Sequence, residues 1–216
     1  MSVRTGIPFV VSAPSGTGKT TVCRRAVARD AGIAFSISHT TRPRRANEVD
    51  GRDYWFVTRG EFERLVAADA FVEHAEYAGN LYGTSRAALD TPLRAGQDLL
   101  LEVDVQGALQ LRARRPDARF VFLLPPSREE LVRRLTGRGT DPPEAIARRL
   151  AAVDTELRAV HAFDYAIVND DVERATDALL AVIAAERAGD TAAARAQWDR
   201  ASVVASLRGV LPIPAR

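Results

Sequence analysis

The sequence predicts an α/β fold, a mainly parallel sheet flanked by helices, and three observations support that expectation. Short apolar, β-branched runs recur at Ile7–Ser12, Asp98–Val103, Arg119–Leu124 and Tyr165–Val168. They lack the alternation of a half-solvated strand, so they read as strands buried on both faces. Helical patterns lie between and after them, which is the order expected of parallel strands joined through helices. A chain of 216 residues with 46% apolar content can bury one substantial core and carry a small inserted subdomain.

Ile7–Ser12 (IPFVVS) opens a βα unit: a glycine-rich turn follows, then a helix-like stretch from Lys19 to about Asp30. The single cysteine, Cys23, lies inside that helix, cannot form an internal disulfide and reads as a packing residue. From about residue 36 to 95 the rhythm breaks into polar loop signals with aromatic strand candidates at Tyr54–Val57 and Phe71–Tyr77. An inserted subdomain over about residues 38–95 is expected there, dividing a core of 1–37 and 96–189. Ser127 and Glu130 have capping-box spacing, which predicts a helix over SREELVRRL ending near Gly137 and Gly139. The two glycines flank Arg138 and predict a hinge. A second helical run follows from about Pro142 to Val160, so residues of about 134–150 read as a helical lid, and an alanine-rich helix follows Asp171. Residues 190–216 carry no chemical motif; an extra helix and a loose tail are expected, with Pro212 and Pro214 discouraging regular structure and Trp198, Val203 and Val204 available for docking.

Thirty Lys and Arg residues oppose 28 Asp and Glu, and a net charge of +2 argues against wholesale binding of nucleic acid or membrane. No segment reaches the roughly 18 uninterrupted apolar residues of a membrane span. The N-terminal residues lack the apolar region and cleavage site of a secretory signal, so a soluble, cytoplasmic protein is expected.

The strongest local signal is Ala13-Pro14-Ser15-Gly16-Thr17-Gly18-Lys19-Thr20, a P-loop pattern with alanine in place of the first glycine. A buried strand precedes it and a helix follows, so main-chain N–H groups and the helix N-terminus can face a phosphate. Lys19 is placed to bridge the β- and γ-phosphates of ATP, and the Thr20 hydroxyl to hold its Mg²⁺, with Thr21 following. The alternative is a glycine-rich turn that merely caps a structural helix. Ala13 lets the chain pass close by provided its φ is negative.

A P-loop leaves the acceptor open. Residues 36–54 read SISHTTRPRRANEVDGRDY, in which Arg42, Arg45 and Tyr54 form a candidate clamp for a second phosphate; a solvated basic loop is the alternative. This stretch resembles the GMP-binding segment of guanylate kinases. FVEHAEYAGNLYGTS (71–85), LLLEVDVQGA (99–108), RRLTGRG (133–139) and IVNDD (167–171) are similar to that family in the same order, and the resemblance covers about residues 7–185. Asn47 stands where many members have glycine, which a turn tolerates.

The resemblance implies a P-loop NTPase-type sheet with a GMP-binding insert and a helical lid, and an enzyme that phosphorylates GMP, and dGMP, from ATP. It implies that Arg42, Arg45, Tyr54 and Tyr82 hold the GMP phosphate and that Ser38, Glu73 and Thr84 face the guanine. Guanine offers two adjacent donors, N1–H and N2–H₂, that one carboxylate such as Glu73 accepts together, whereas adenine presents an acceptor at N1. A strand carboxylate for Glu73 and aromatic packing for the tyrosines are the competing readings. Asp104 follows the strand DLLLEV, where an acid that orients Mg²⁺ is expected, although a helix cap would also place it there. Glu102 lies two residues earlier; in the family this acidic pair lies near guanine and metal, and the sequence does not divide the two roles.

Arg134 and Arg138 are four apart, so they share a helix face if the helix persists, and Arg149 lies in the next helical run. By resemblance these three contact the ATP phosphates and, with Lys19 and Arg42, make the catalytic set, while Asn169 lies near the adenine. A turn-forming asparagine explains Asn169 equally well. The rival readings are a non-catalytic guanylate kinase-like protein-binding module and a related kinase for phosphorylated sugars. The intact Lys19 and Thr20 oppose the first, and the set Ser38, Glu73 and Thr84 opposes the second.

Overall fold

The computed structural model describes residues 4–77, 79–136, 153–207 and 211–213. Five strands, β1 (Pro8–Ser12), β2 (Ile33–Phe35), β7 (Asp98–Glu102), β8 (Arg119–Leu124) and β9 (Tyr165–Val168), form one sheet in the order β2-β7-β1-β8-β9, with every pairing parallel. Four of these are the apolar runs expected from sequence. The fifth, β2, is only three residues long, and its pairing with β7 rather than its own pattern makes it a strand.

Alternation along the strands supplies two cores. Val10, Leu99, Leu101, Phe120 and Phe122 face one side, and Phe9, Val11, Leu100, Val121 and Leu123 face the other. Helices cover both sides, which explains why the strands read as continuous apolar runs. Helix α1 (Lys19–Arg29) turns Val22, Cys23 and Ala26 inward, and burial pushes the Cys23 thiol pKa well up, in keeping with a packing residue.

The insert forms a second sheet from β3 (His39–Thr40), β4 (Trp55–Phe56), β5 (Phe71–Tyr77) and β6 (Asn80–Ser85), in the order β4-β3-β6-β5. Its helices are α2 (Arg59–Ala67), capped by Thr58, and α3 (Arg86–Arg94), capped by Ser85. β5 and β6 pair antiparallel with Glu73 opposite Thr84. Helix α4 (Val105–Arg114) follows β7 with Asp104 as its N-cap, and α5 (Arg128–Thr136) begins after Ser127, whose Oγ accepts the Glu130 N–H at 3.1 Å. The reciprocal half of the capping box is not made, because the Glu130 carboxylate instead accepts from Arg133 and Arg134. The hinge glycines, Arg138 and Arg149 lie outside the described residues. The chain is helical again over 153–158, with Val153, Leu157 and Val160 in the core.

Helix α6 (Val172–Arg187) is capped by Asp171 and followed by α7 (Thr191–Trp198) and α8 (Arg200–Ser206). The single extra helix expected for the C-terminal segment is therefore corrected, while residues 208–210 and 214–216 of the expected tail lie outside the described residues. There are two short helices, each started by an aspartate cap (Asp190 and Asp199), and Ala194, Val204, Leu207 and Leu211 are buried against the body. Pro212 does not prevent this docking: Leu211 is buried, and its N–H donates to the Leu207 carbonyl at 3.1 Å. A fully buried carboxylate ties the N-terminal and C-terminal parts of the core together. Asp98 accepts from the Ile7 N–H at 2.8 Å, from Arg4 at 2.6 Å, and from Arg187, which also bonds Asp30.

Candidate active site

The connection that leaves β1 leads to β2 on one side of the sheet, and the chain between β7 and β8 crosses to the other, so β1 ends at a switch point, the place where open parallel sheets bind ligands. A cleft of about 360 Å³ opens there. The P-loop residues 13–21 form one wall, and Ser38, Tyr54, Glu73, Tyr82, Glu102 and Asp104 line the remainder.

Gly16 and Gly18 have φ of 87° and 91°, in the left-handed region where a side chain is strained. Ala13 has no such backbone, so it fits where the motif usually has glycine. Lys19 donates from Nζ to the Val103 carbonyl at 2.5 Å, lying across the cleft toward the end of β7. The Thr20 hydroxyl donates to Glu102 Oε1 at 2.5 Å. The register that pairs Val11 with Glu102 causes this contact, because it sets the Glu102 carboxylate beside the end of β1. Asp104 lines the same cleft, but its Oδ1 accepts the Gly107 N–H at 2.7 Å as the cap of α4. The structure thus separates the two acids that the sequence left together: Glu102 is on the P-loop hydroxyl, and Asp104 is on a helix end.

On the far wall Glu73 is 4% exposed. Burial pushes its pKa up to about 7, against a hydrogen bond from Thr84 that favours the carboxylate. Thr84 Oγ1 is also 3.3 Å from Ser38 Oγ, so Ser38, Glu73 and Thr84 form one polar patch. Tyr54 and Tyr82 meet edge to face with centroids 6.0 Å apart, and burial raises the Tyr54 phenol to about 12. The Arg42 guanidinium lies 5.5 Å from the centroid of the Tyr54 ring, and its Nη2 donates to Glu48 Oε1 at 2.7 Å. Arg45 is not brought into the cleft. Its side chain is 70% exposed, while its main-chain N–H donates to the other Glu48 oxygen at 2.8 Å.

Arg134, expected on a phosphate, bonds main-chain carbonyls and a carboxylate in this structure. Its Nη1 donates to the Thr17 carbonyl at 3.3 Å, its Nη2 to the Asn169 carbonyl at 3.1 Å and its Nε to Glu130 at 2.7 Å. Asn169 is buried, and its Nδ2 donates to the Thr17 carbonyl at 2.6 Å. In this structure both residues hold the back of the P-loop.

Two carboxylates escaped the sequence reading. Glu48 partners Arg42, and nothing about its position in RANEVDG singled it out. Glu156 lines the cleft and accepts the Ser15 N–H at 3.1 Å, and burial raises its pKa. A signal existed for Glu156: it falls among Val153, Leu157 and Val160 at helical spacing, a carboxylate within an apolar stripe.

Comparison with known proteins finds relatives along most of the chain. The family model for guanylate kinase matches residues 5–186. The guanylate kinase of Dechloromonas aromatica is 53% identical over 177 residues, covering 82% of this chain and 88% of that protein. A guanylate kinase of Thermus thermophilus is 52% identical over 179 residues, covering 83% and 81%. The crystal structure of guanylate kinase from Anaplasma phagocytophilum superposes with a TM-score of 0.72 at 36% identity, over 86% of this chain and 88% of that one. A loop built for triphosphates, a buried carboxylate facing it across one cleft, and this degree of identity along most of the length lead to one assignment: the chain belongs to the guanylate kinase family.

Proposed function

We propose that this enzyme transfers the γ-phosphoryl group of ATP to the phosphate of GMP, giving ADP and GDP. The observation that carries the reading is the placement of buried Glu73 and half-buried Ser38, joined through buried Thr84, in one cleft with the P-loop. The two Glu73 oxygens accept guanine N1–H and N2–H₂, and a hydroxyl of Ser38 or Thr84 donates to O6. Tyr54 and Tyr82 flank the GMP phosphate, and that phosphate takes over from Glu48 as partner of the Arg42 guanidinium. Arg45, exposed on the same turn, closes on the phosphate from outside.

On the donor side, main-chain N–H groups of the P-loop receive the β-phosphate, and Lys19 leaves the Val103 carbonyl to bridge β- and γ-oxygens. A GMP phosphate oxygen attacks the γ-phosphorus, the bond to the β–γ bridging oxygen breaks, and its electron pair leaves on ADP. The attacking oxygen is already anionic, so no side chain has to remove a proton. Lys19 and Arg42 neutralise charge at the two ends of the transfer, and Arg134, Arg138 and Arg149 are assigned to the transferring group. Thr20 and Glu102, a hydroxyl and a carboxylate side by side at the loop, fit a hard cation; Mg²⁺ held there, with Asp104 behind, would shield the charge of the β- and γ-oxygens.

A coupled ADP-release assay over a panel of nucleoside monophosphates and sugar phosphates tests this function, with turnover expected on GMP and little on AMP, CMP, UMP or the sugars. Equal turnover on AMP, or none on GMP, would overturn it. Base recognition should also titrate. Glu73 accepts the guanine donors only as a carboxylate, so the KM for GMP is expected to rise as pH falls through about 7. GMP itself titrates nearby, so the profile is compared with that of Glu73→Gln, which should lack this step.

A further inference from the structure

Gly107 is the third residue of α4, where glycine is the least favourable choice after proline. Its φ is not left-handed, so the backbone does not require glycine. Capping does not require it either, because the bond to Asp104 uses the Gly107 N–H, which every residue except proline has. Its side-chain direction supplies the reason. A Cβ at this position would stand 2.5 Å from Glu73 Oε2, 3.2 Å from Glu73 Cδ and 3.4 Å from Asp104 Oδ1. The first distance is shorter than a Cβ tolerates, so the Glu73 carboxyl must give way; packed against Thr84 on one side, it can do so only by swinging out of its position into the cleft that it lines.

We infer that Gly107 is a specificity-determining positioning residue: its bare Cα is the surface on which Glu73 Oε2 rests, and this contact sets the carboxylate for the two guanine donors. The inference rests on the reading of Glu73 as the base reader. It explains a glycine inside a helix by the needs of the neighbouring strand. It also implies that a methyl group here acts on GMP and not on the fold, since alanine is the better helix former.

The test is Gly107→Ala, with steady-state kinetics on GMP and IMP and a thermal melt. The kcat/KM for GMP is expected to fall about 10- to 100-fold, mainly through KM. The KM for ATP should stay within twofold, and Tm should not drop. IMP lacks the 2-amino donor, so the preference for GMP over IMP should narrow. In a Glu73→Asp background, where the shortened acid no longer reaches the α4 surface, adding Gly107→Ala should cost less than twofold. A Gly107→Ala enzyme within twofold of wild type on GMP would overturn the inference, provided Glu73→Gln has lost GMP. A loss shared equally by GMP and ATP with a lowered Tm would also overturn it, as a structural effect. If Glu73→Gln itself retains GMP, the base-reader assignment is what fails.

Discussion

Lys19→Ala is expected to lower kcat by about a thousandfold, equivalent to about 4 kcal/mol of transition-state stabilisation, while leaving GMP affinity nearly unchanged. The ammonium group lies on the Val103 carbonyl at the junction between the P-loop and the end of β7, in the wall of the cleft. It is the one side-chain cation of the P-loop, whose other contributions are main-chain N–H groups and hydroxyls. Charge spreads over the γ-oxygens and the leaving bridge as the phosphoryl group moves, and a cation fixed there stabilises that distribution more than it stabilises bound ATP. The loss should therefore appear in kcat. Val103 lines the cleft, where water can replace the lost ammonium on its carbonyl, so removing that partner should cost little stability. The checks are single-turnover transfer and calorimetric binding of GMP. A variant that kept kcat within tenfold of wild type would place the charge neutralisation elsewhere, on the arginines of the lid.

The features that were legible in sequence are those carried by one contiguous segment. The P-loop could be read because strand, glycines, lysine and helix follow one another along the chain, and the four long strands because burial on both faces removes polar residues from them. β2 was not legible, since three residues carry no period and only pairing with β7 makes Ile33–Phe35 a strand. β6 was hidden for a related reason: NLYGTS holds polar residues and glycine that acquire strand geometry through its partners β3 and β5. Within the site, the contact of Glu102 with Thr20 depended on sheet register, which no spacing along the chain encodes, whereas the cap made by Asp104 is local and was one of the two readings the sequence offered. The partnership of Glu48 with Arg42 and of Glu156 with Ser15 required a folded turn and a distant helix. Arg134 was legible as a cation on the helix after Ser127, but its bonds to the Thr17 and Asn169 carbonyls follow from how α5 packs on the loop.

Glu73→Gln should cost about a hundredfold or more in kcat/KM for GMP and at the same time make the protein more stable above neutral pH. The first effect follows from acceptor count. An amide keeps one oxygen for guanine and turns its own NH₂ toward the second guanine donor, leaving two donors opposed in a buried pocket without the charge that strengthened both bonds. The second follows from linkage. Burial raises the Glu73 pKa from 4.5 in the unfolded chain to about 7 in the fold. The folded state therefore holds this proton more tightly, its contribution to stability is complete below pH 4.5, and that contribution is lost as pH rises through about 7. Above that range the ionised carboxylate costs the fold on the order of 3 kcal/mol, and the neutral amide removes most of that cost. Melting curves of the two proteins should converge near pH 5 and separate toward pH 8, with the variant melting higher. A Glu73→Gln protein that melted lower than wild type at pH 8 would mean the carboxylate is stabilised by partners in the fold. A carboxylate kept in a pocket that disfavours its charge is explained by the ligand that uses it: guanine supplies the donors the pocket lacks, and binding recovers the stability that the empty site gives up.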